Sequence, residues 1–217
     1  MKRSVVVSCL FVLLAALVSA VALAWPAFFD LNPPGIGAPP SLSGWECISQ
    51  PYVNPLFDAG ELMDDINAVA GGPVTTQVCR WLTTVDGFSC YTGTTGAPFP
   101  LEAGPGYLVR VSGPAAIPYV IAGGDVPLFP LMLDGPGPTS ASGTHLISIP
   151  EVDIPVPLAD AGDVLALLGP PAESVCRFAR EANAFLCYTG TAGAAFPLVD
   201  GEAYLVQVDA PVVVMMP

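Results

Sequence analysis

Positive charge is what this sequence has least of. Of 217 residues only six are Lys or Arg and one is His, against nineteen Asp and Glu, for a formal net charge of −13. Binding a phosphate backbone needs clustered basic side chains, so this balance argues against a nucleic-acid partner. The single histidine, His145, leaves little to build catalysis with. A Ser-His-Asp or Cys-His device has to use it, and no Gly-x-Ser-x-Gly elbow or other nucleophile motif stands in the chain. His145 is expected to be a solvent-facing strand residue. Close-spaced Cys or His pairs, Cys-x-x-Cys and Asp-x-Asp-x-Asp-Gly are also missing, so no zinc cluster, redox dithiol or calcium loop is written here. The nearest approach to a calcium loop is Glu151-Val152-Asp153, and no cofactor is expected.

What is present begins with a targeting pattern. Lys2 and Arg3 precede an apolar run from Val5 to Leu23, and Ala22-Leu23-Ala24 forms a small-x-small cleavage signal before Trp25. The rival is a retained membrane anchor, since the run approaches the ~20 residues that span a bilayer. Cleavage near Ala24 is the expectation, giving a secreted chain at the cell surface, in the periplasm or outside the cell, with no membrane contact afterwards. The remaining residues keep four arginines and all nineteen acidic residues, a formal charge of 4 − 19 = −15. All 25 prolines also lie there, a density that forbids long helices and favours short strands joined by turns. At 53% hydrophobic the chain has enough apolar surface to fold.

The chain says most of its pieces twice. Cys79 to Val111 and Cys176 to Val208, offset by 97 positions, share 18 of 33 residues, including Cys-Arg, Cys-Tyr-Thr-Gly-Thr, Phe-Pro-Leu and Tyr-Leu-Val. Upstream, Ser43-Gly44 matches Ser142-Gly143, and Pro55-Leu56-Phe57-Asp58-Ala59-Gly60-Glu61-Leu62 matches Pro157-Leu158-Ala159-Asp160-Ala161-Gly162-Asp163-Val164. The spacing is too long for a solenoid and implies tandem domains, 25–124 and 125–217, after the 1–24 signal segment. Each domain is expected to run strand, strand, short helix, hairpin, then two strands, as a small β-sandwich or partly open β-barrel. Asp58 with Glu61 and Asp160 with Asp163 have the spacing of helix caps. Leu62, Ile66, Val69 and Ala70 are expected on one face of the first helix, and Val164, Leu165, Leu167 and Leu168 make a shorter second helix stopped by Gly169-Pro170-Pro171.

Four of the cysteines form two equivalent pairs. A hairpin centred on Thr84–Val85 sets Cys79 opposite Cys90 and Trp81 opposite Phe88; one centred on Glu181–Ala182 sets Cys176 opposite Cys187 and Phe178 opposite Phe185. Both are expected to be disulfides, each contributing ~3 kcal/mol on the chain-entropy account. Cys47 has no partner and aligns with the apolar Leu146, which implies a buried thiol, with intermolecular pairing as the rival.

Gly44-Trp45-Glu46-Cys47-Ile48-Ser49-Gln50-Pro51 and Gly143-Thr144-His145-Leu146-Ile147-Ser148-Ile149-Pro150 resemble the Gly-Trp-Asn-Leu-Ile-Ser-Leu-Pro opening of a small β-rich repeat of secreted bacterial and archaeal proteins. Gly104-Pro105-Gly106-Tyr107-Leu108-Val109, and less closely Gly201-Glu202-Ala203-Tyr204-Leu205-Val206, resemble its Gly-x-Gly-Tyr-Trp-Val close. Thr144 stands where that repeat has tryptophan, Leu108 and Leu205 where it has a second aromatic, and the cysteine pairs are additional. The resemblance implies an accessory or surface module without catalytic residues and carries over no active site.

The expectation is a secreted, non-enzymatic structural or interaction protein whose partner is an extracellular protein or glycan. The alternative is a module that binds carbohydrate or another ligand through surface aromatics. Arg80 and Arg177, half of the positive charge after the signal segment, and Tyr91 and Tyr188 are the candidate ligand contacts. For the arginines the competing role is a surface ion pair; for the tyrosines it is core packing. A hydrolase using two carboxylates in one cleft is the third reading.

Overall fold

The structure, a computed structural model, describes residues 26–37, 40–49, 56, 58–122, 129–149 and 158–216. The apolar leader and Glu151-Val152-Asp153 lie outside them. In order come β1 (Pro26–Leu31), β2 (Trp45–Ser49), α1 (Ala59–Ala70), β3 (Thr75–Leu82), β4 (Gly87–Tyr91), β5 (Gly106–Val111) and β6 (Ile117–Ala122). The same order then recurs as β7 (Phe129–Leu133), β8 (Thr144–Ser148), α2 (Ala161–Leu168), β9 (Ala172–Ala179), β10 (Ala184–Tyr188), β11 (Ala203–Val208) and β12 (Val212–Met216). The protein is mainly β, as the sequence implies. Each half pairs a four-stranded sheet, β2-β5-β3-β4 or β8-β11-β9-β10, with a two-stranded ribbon, β1-β6 or β7-β12, and among the described residues no barrel closes.

Each helix begins on the expected aspartate. Asp58 accepts from the Gly60 and Glu61 amides at 2.8 and 3.0 Å, and Asp160 from the Gly162 and Asp163 amides at 2.8 and 3.1 Å. Asp163 returns a bond to the Asp160 amide, completing a capping box. The buried face of α1 differs from the expected one. In α1 Ala59, Leu62, Met63 and Ile66 are buried while Val69 is exposed; in α2 Ala161, Val164 and Leu168 are buried while Leu167 is exposed. At 3.6 residues per turn Val69 and Leu167 fall beyond one edge of the arc that Ala59 and Ala161, the first helical residues, share with the other buried positions. The first core joins these helix residues to Ile48, Val78 and Val109 of the sheet and Leu31 and Tyr119 of the ribbon. The second repeats it with Ile147, Val175, Val206 and Leu133.

Both hairpins take the expected register. Cys79 faces Cys90, Trp81 faces Phe88, Cys176 faces Cys187 and Phe178 faces Phe185. Both disulfides are formed and Cys47 is a buried free thiol. Cross-strand pairing continues each cysteine pair into a row, Cys47–Leu108–Cys79–Cys90 in the first sheet and Leu146–Leu205–Cys176–Cys187 in the second. Side chains alternate along a strand, so these rows lie on the sheet faces turned away from the two cores. They are not on the outside of the protein. Cys47, Cys79, Leu108, Leu146 and Ala203 form a third buried cluster, with Trp45, Trp81, Phe178 and Phe185 packed around it. Both faces of the central strand β5 are therefore covered, and Gly106, Tyr107, Leu108 and Val109 are all buried.

Main-chain bonds across this junction come in reciprocal pairs. The Ser49 amide donates to the Gly201 carbonyl at 2.7 Å and the Ser148 amide to the Gly104 carbonyl at 2.6 Å. The Leu42 amide donates to Arg180 O at 3.1 Å and the Ala141 amide to Thr83 O at 2.7 Å. Since each donor and acceptor in one bond matches its counterpart in the other, the halves meet as the subunits of a two-fold dimer do, through one patch used twice. Matched positions then face each other near the axis. A Cβ on Gly106 meets the Ala203 Cβ at 2.3 Å and Leu146 Cγ at 3.0 Å. Two alanines do not fit where one glycine and one alanine do.

Gly106→Ala is expected to lower stability by about 1–3 kcal/mol through overpacking. Adding Ala203→Gly should recover most of that loss in chemical denaturation, whereas additive losses in the double variant contradict the close approach.

Candidate functional site

Each half carries a three-part stack at the end of its sheet. Phe99 and Tyr107 lie parallel with centroids 6.1 Å apart, and Phe196 and Tyr204 do so at 6.0 Å. Arg80 covers Phe99 with its guanidinium carbon 5.0 Å from the ring centre, and Arg177 covers Phe196 at 5.5 Å. Each buried tyrosine hydroxyl accepts an amide, Glu102 at 2.7 Å or Val199 at 2.6 Å. Burial holds Tyr107 up at about 12 and raises Tyr204 as well, so both stay protonated donors and neither serves as a base near neutral pH.

The two arginines, candidate ligand contacts for which a surface ion pair was the competing role, therefore sit on aromatic rings. Among the described residues the ion pair found is Arg180 with Glu46, at 3.5 Å. The stack faces are where a flat cation gains from a ring quadrupole while its polar edge stays open. Arg80 and Arg177 differ in their surroundings. The positive charge of Arg177 acts on the half-buried Glu202. The residue matching Glu202 in the first half is Pro105, and the Nε of Arg80 is shielded from solvent with no hydrogen-bond partner.

Among the described residues, two cavities open along the junction. The first, about 250 Å³, is lined by Arg80, Trp81, Glu102, Tyr107, His145 and Ile147 among others. His145 is half-buried, not turned freely to solvent, and its Nε2 donates to the Asp134 carbonyl at 2.8 Å. Trp81 donates from Nε1 to the Thr144 carbonyl at 2.8 Å, so its ring is held as a wall. The second cavity, about 180 Å³, is lined by Glu46, Cys47, Arg180, Glu202, Asp30 and Val199 among others. It brings together the carboxylates of Glu46 and Glu202 that the sequence does not single out. Burial pushes Glu46 up to about 7 from the ordinary 4.5, with Arg180 and the Asn32 amide pulling the other way. Burial raises Glu202 too, and Arg177 opposes it. At 3.5 Å the Arg180 contact is long, which is why it leaves the cost of burying Glu46 only partly offset.

Tyr91 and Tyr188 line neither cavity. Each packs half-buried against its own core, beside the first turn of the helix, with its hydroxyl reaching Gly93 O at 3.4 Å or Gly190 O at 3.3 Å. Of the four candidate contacts, the structure places only Arg80 in a cavity wall. Three pairs of lining positions differ between the copies in the sequence: Glu46 against His145, Thr83 against Arg180, Pro105 against Glu202. Among the described residues no group of three or more His, Cys, Asp or Glu stands ready for a metal ion.

Two expectations follow from the second cavity. In the folded protein Glu46 takes up its proton near pH 7 and in the unfolded chain near 4.5, so the folded state holds the extra proton between these values. Stability is then greatest below that window and falls as pH rises through it. Thermal unfolding from pH 5 to 8 should show this decline, and Glu46→Gln should flatten it and stabilise the protein at pH 8 by on the order of 1–3 kcal/mol; an unchanged slope contradicts the account. For Cys47, burial raises the thiol far above its usual range. The chain from Trp25 onward should take up no alkylating reagent while folded and one equivalent per chain in denaturant without reductant, read by mass.

No protein-family model, curated protein or solved structure matches the chain, and the sites stand on their own geometry.

Proposed function

We propose that the chain is a secreted, non-enzymatic interaction protein, two disulfide-clipped β-repeats acting as one rigid body at the cell surface or in the extracellular space. The observation that carries this is the pair of disulfides at matched hairpin positions. Disulfides persist in oxidising compartments and small cores depend on them there. The leader-like sequence of residues 1–24 and the absence, among the described residues, of a helix long and apolar enough to cross a membrane are compatible with this reading. So is the likeness of the Gly44 and Gly143 segments to the secreted β-rich repeat.

The non-enzymatic part rests on what the reactive groups are occupied with. Asp58 and Asp160 cap helices, His145 is tied to a backbone carbonyl, and the buried tyrosines accept amides. Glu46 and Glu202 share a cavity, but Arg180 bridges the halves to Glu46. The ligand-binding alternative loses Tyr91 and Tyr188 as stacking platforms and gains a cavity walled by Trp81.

Fractionation of the producing cells tests the compartment. The expected result is a chain beginning at Trp25 outside the cytoplasm, with two disulfides by mass. A full-length chain with reduced cysteines in the cytoplasm overturns it.

A further inference from the structure

The two halves provide an internal control for charge. Both carry the same arginine on the same phenylalanine, yet only Arg177 has a carboxylate at the position that follows the Gly201 turn. In the first half proline replaces it, and Arg80 keeps a buried Nε with no partner. A shielded donor left without a partner costs free energy comparable to a lost hydrogen bond. The same arginine lines the first cavity, where Arg80 and His145 are the basic residues and the exposed Glu102 makes no ion pair with Arg80.

We propose that this cavity is a binding site for a small monocarboxylate, held by Arg80 and seated against Trp81, Tyr107 and Ile147. The Nε is shielded, and the terminal N–H groups of the guanidinium are the donors left to meet the oxygens of a carboxylate. The volume, about 250 Å³, equals the share of about eight waters in the liquid, room for one ring and not for an oligomer. Mostly apolar walls with one placed cation are the usual make-up of a small-ligand site. A single positive charge in a protein of net charge −13 suits a monoanion; a phosphate dianion meets Glu102 and the surrounding field with nothing to balance its second charge. The ligand fills in the part that Glu202 plays beside Arg177.

This deepens the interaction reading without depending on the compartment: a cytoplasmic protein leaves it standing, and failure to bind leaves secretion standing. The test is titration calorimetry on the chain from Trp25 onward, with Trp fluorescence as a second readout from Trp81. Benzoate and glucuronate are the probes, benzamide and glucose their neutral counterparts, and inorganic phosphate the competing anion. At least one carboxylate is expected to bind with Kd of about 1 mM or tighter, about tenfold or more ahead of its neutral counterpart. Benzoate alone marks an apolar acid as the ligand and glucuronate alone a sugar acid. Arg80→Gln should abolish the preference and Arg177→Gln retain it. Should Arg80→Gln not fold, Arg80→Lys keeps the charge without the fork and should lower carboxylate affinity severalfold. No binding of either carboxylate at about 50 mM, equal binding of the neutral probes, phosphate binding more tightly, or an equal loss in Arg177→Gln overturns the proposal.

Discussion

The back-to-back packing of the two four-stranded sheets is the constraint on which the rest depends. A sheet of this size in an isolated small domain has one face for its core and one for water, and the second face is normally polar. Here the second face of each sheet carries cystine, leucine and aromatic rings, and the other half covers it. Once the halves meet, main-chain bonds at the sheet ends fall into register in both directions, and the closest contact admits no second Cβ. The cavities, the bridging ion pair and the burial of Glu46 all follow from that contact. Neither half alone contains them.

Much of the local structure could be read from residue spacing. Hairpin register was legible because ten residues separate the cysteines in both copies, and only an antiparallel ribbon sets both pairs opposite at once. The helix starts were legible because an aspartate side chain bonds amides a fixed two and three residues away. What spacing cannot express is what a face touches. Leu62 and Ile66 were rightly placed inward, yet Val69 lies outward because the docking of the helix on its sheet sets the buried arc. For the arginines the sequence offered a ligand or an ion pair, because sequence marks charge and not the ring that arrives from nineteen residues away. The cavities were invisible for the same reason: their walls come from both halves.

The copies are most alike where they build the fold and differ in charge where they meet. Cys-Arg, Cys-Tyr-Thr-Gly-Thr and Tyr-Leu-Val serve hairpin, turn and core in both. Glu46 and His145, Thr83 and Arg180, Pro105 and Glu202, Gly106 and Ala203 are equivalent positions holding unlike residues, and all lie at the junction. A symmetric interface would set equal charges in equal places, and two buried copies of Glu202 would have to share one field. Divergence across the axis lets one cavity gather carboxylates and the other keep a lone guanidinium.

Cys47 gains a further meaning from its row. It stands on the same sheet face as the Cys79–Cys90 bond, with the Leu108 side chain between them. Disulfide exchange begins with a thiolate, and burial keeps this sulfur a thiol. The odd cysteine is thus chemically silent beside a bond it has the means to attack. Folding is what silences it, so the native packing guards the pairing of its own cross-links, and a chain that opens loses its shape and that guard together.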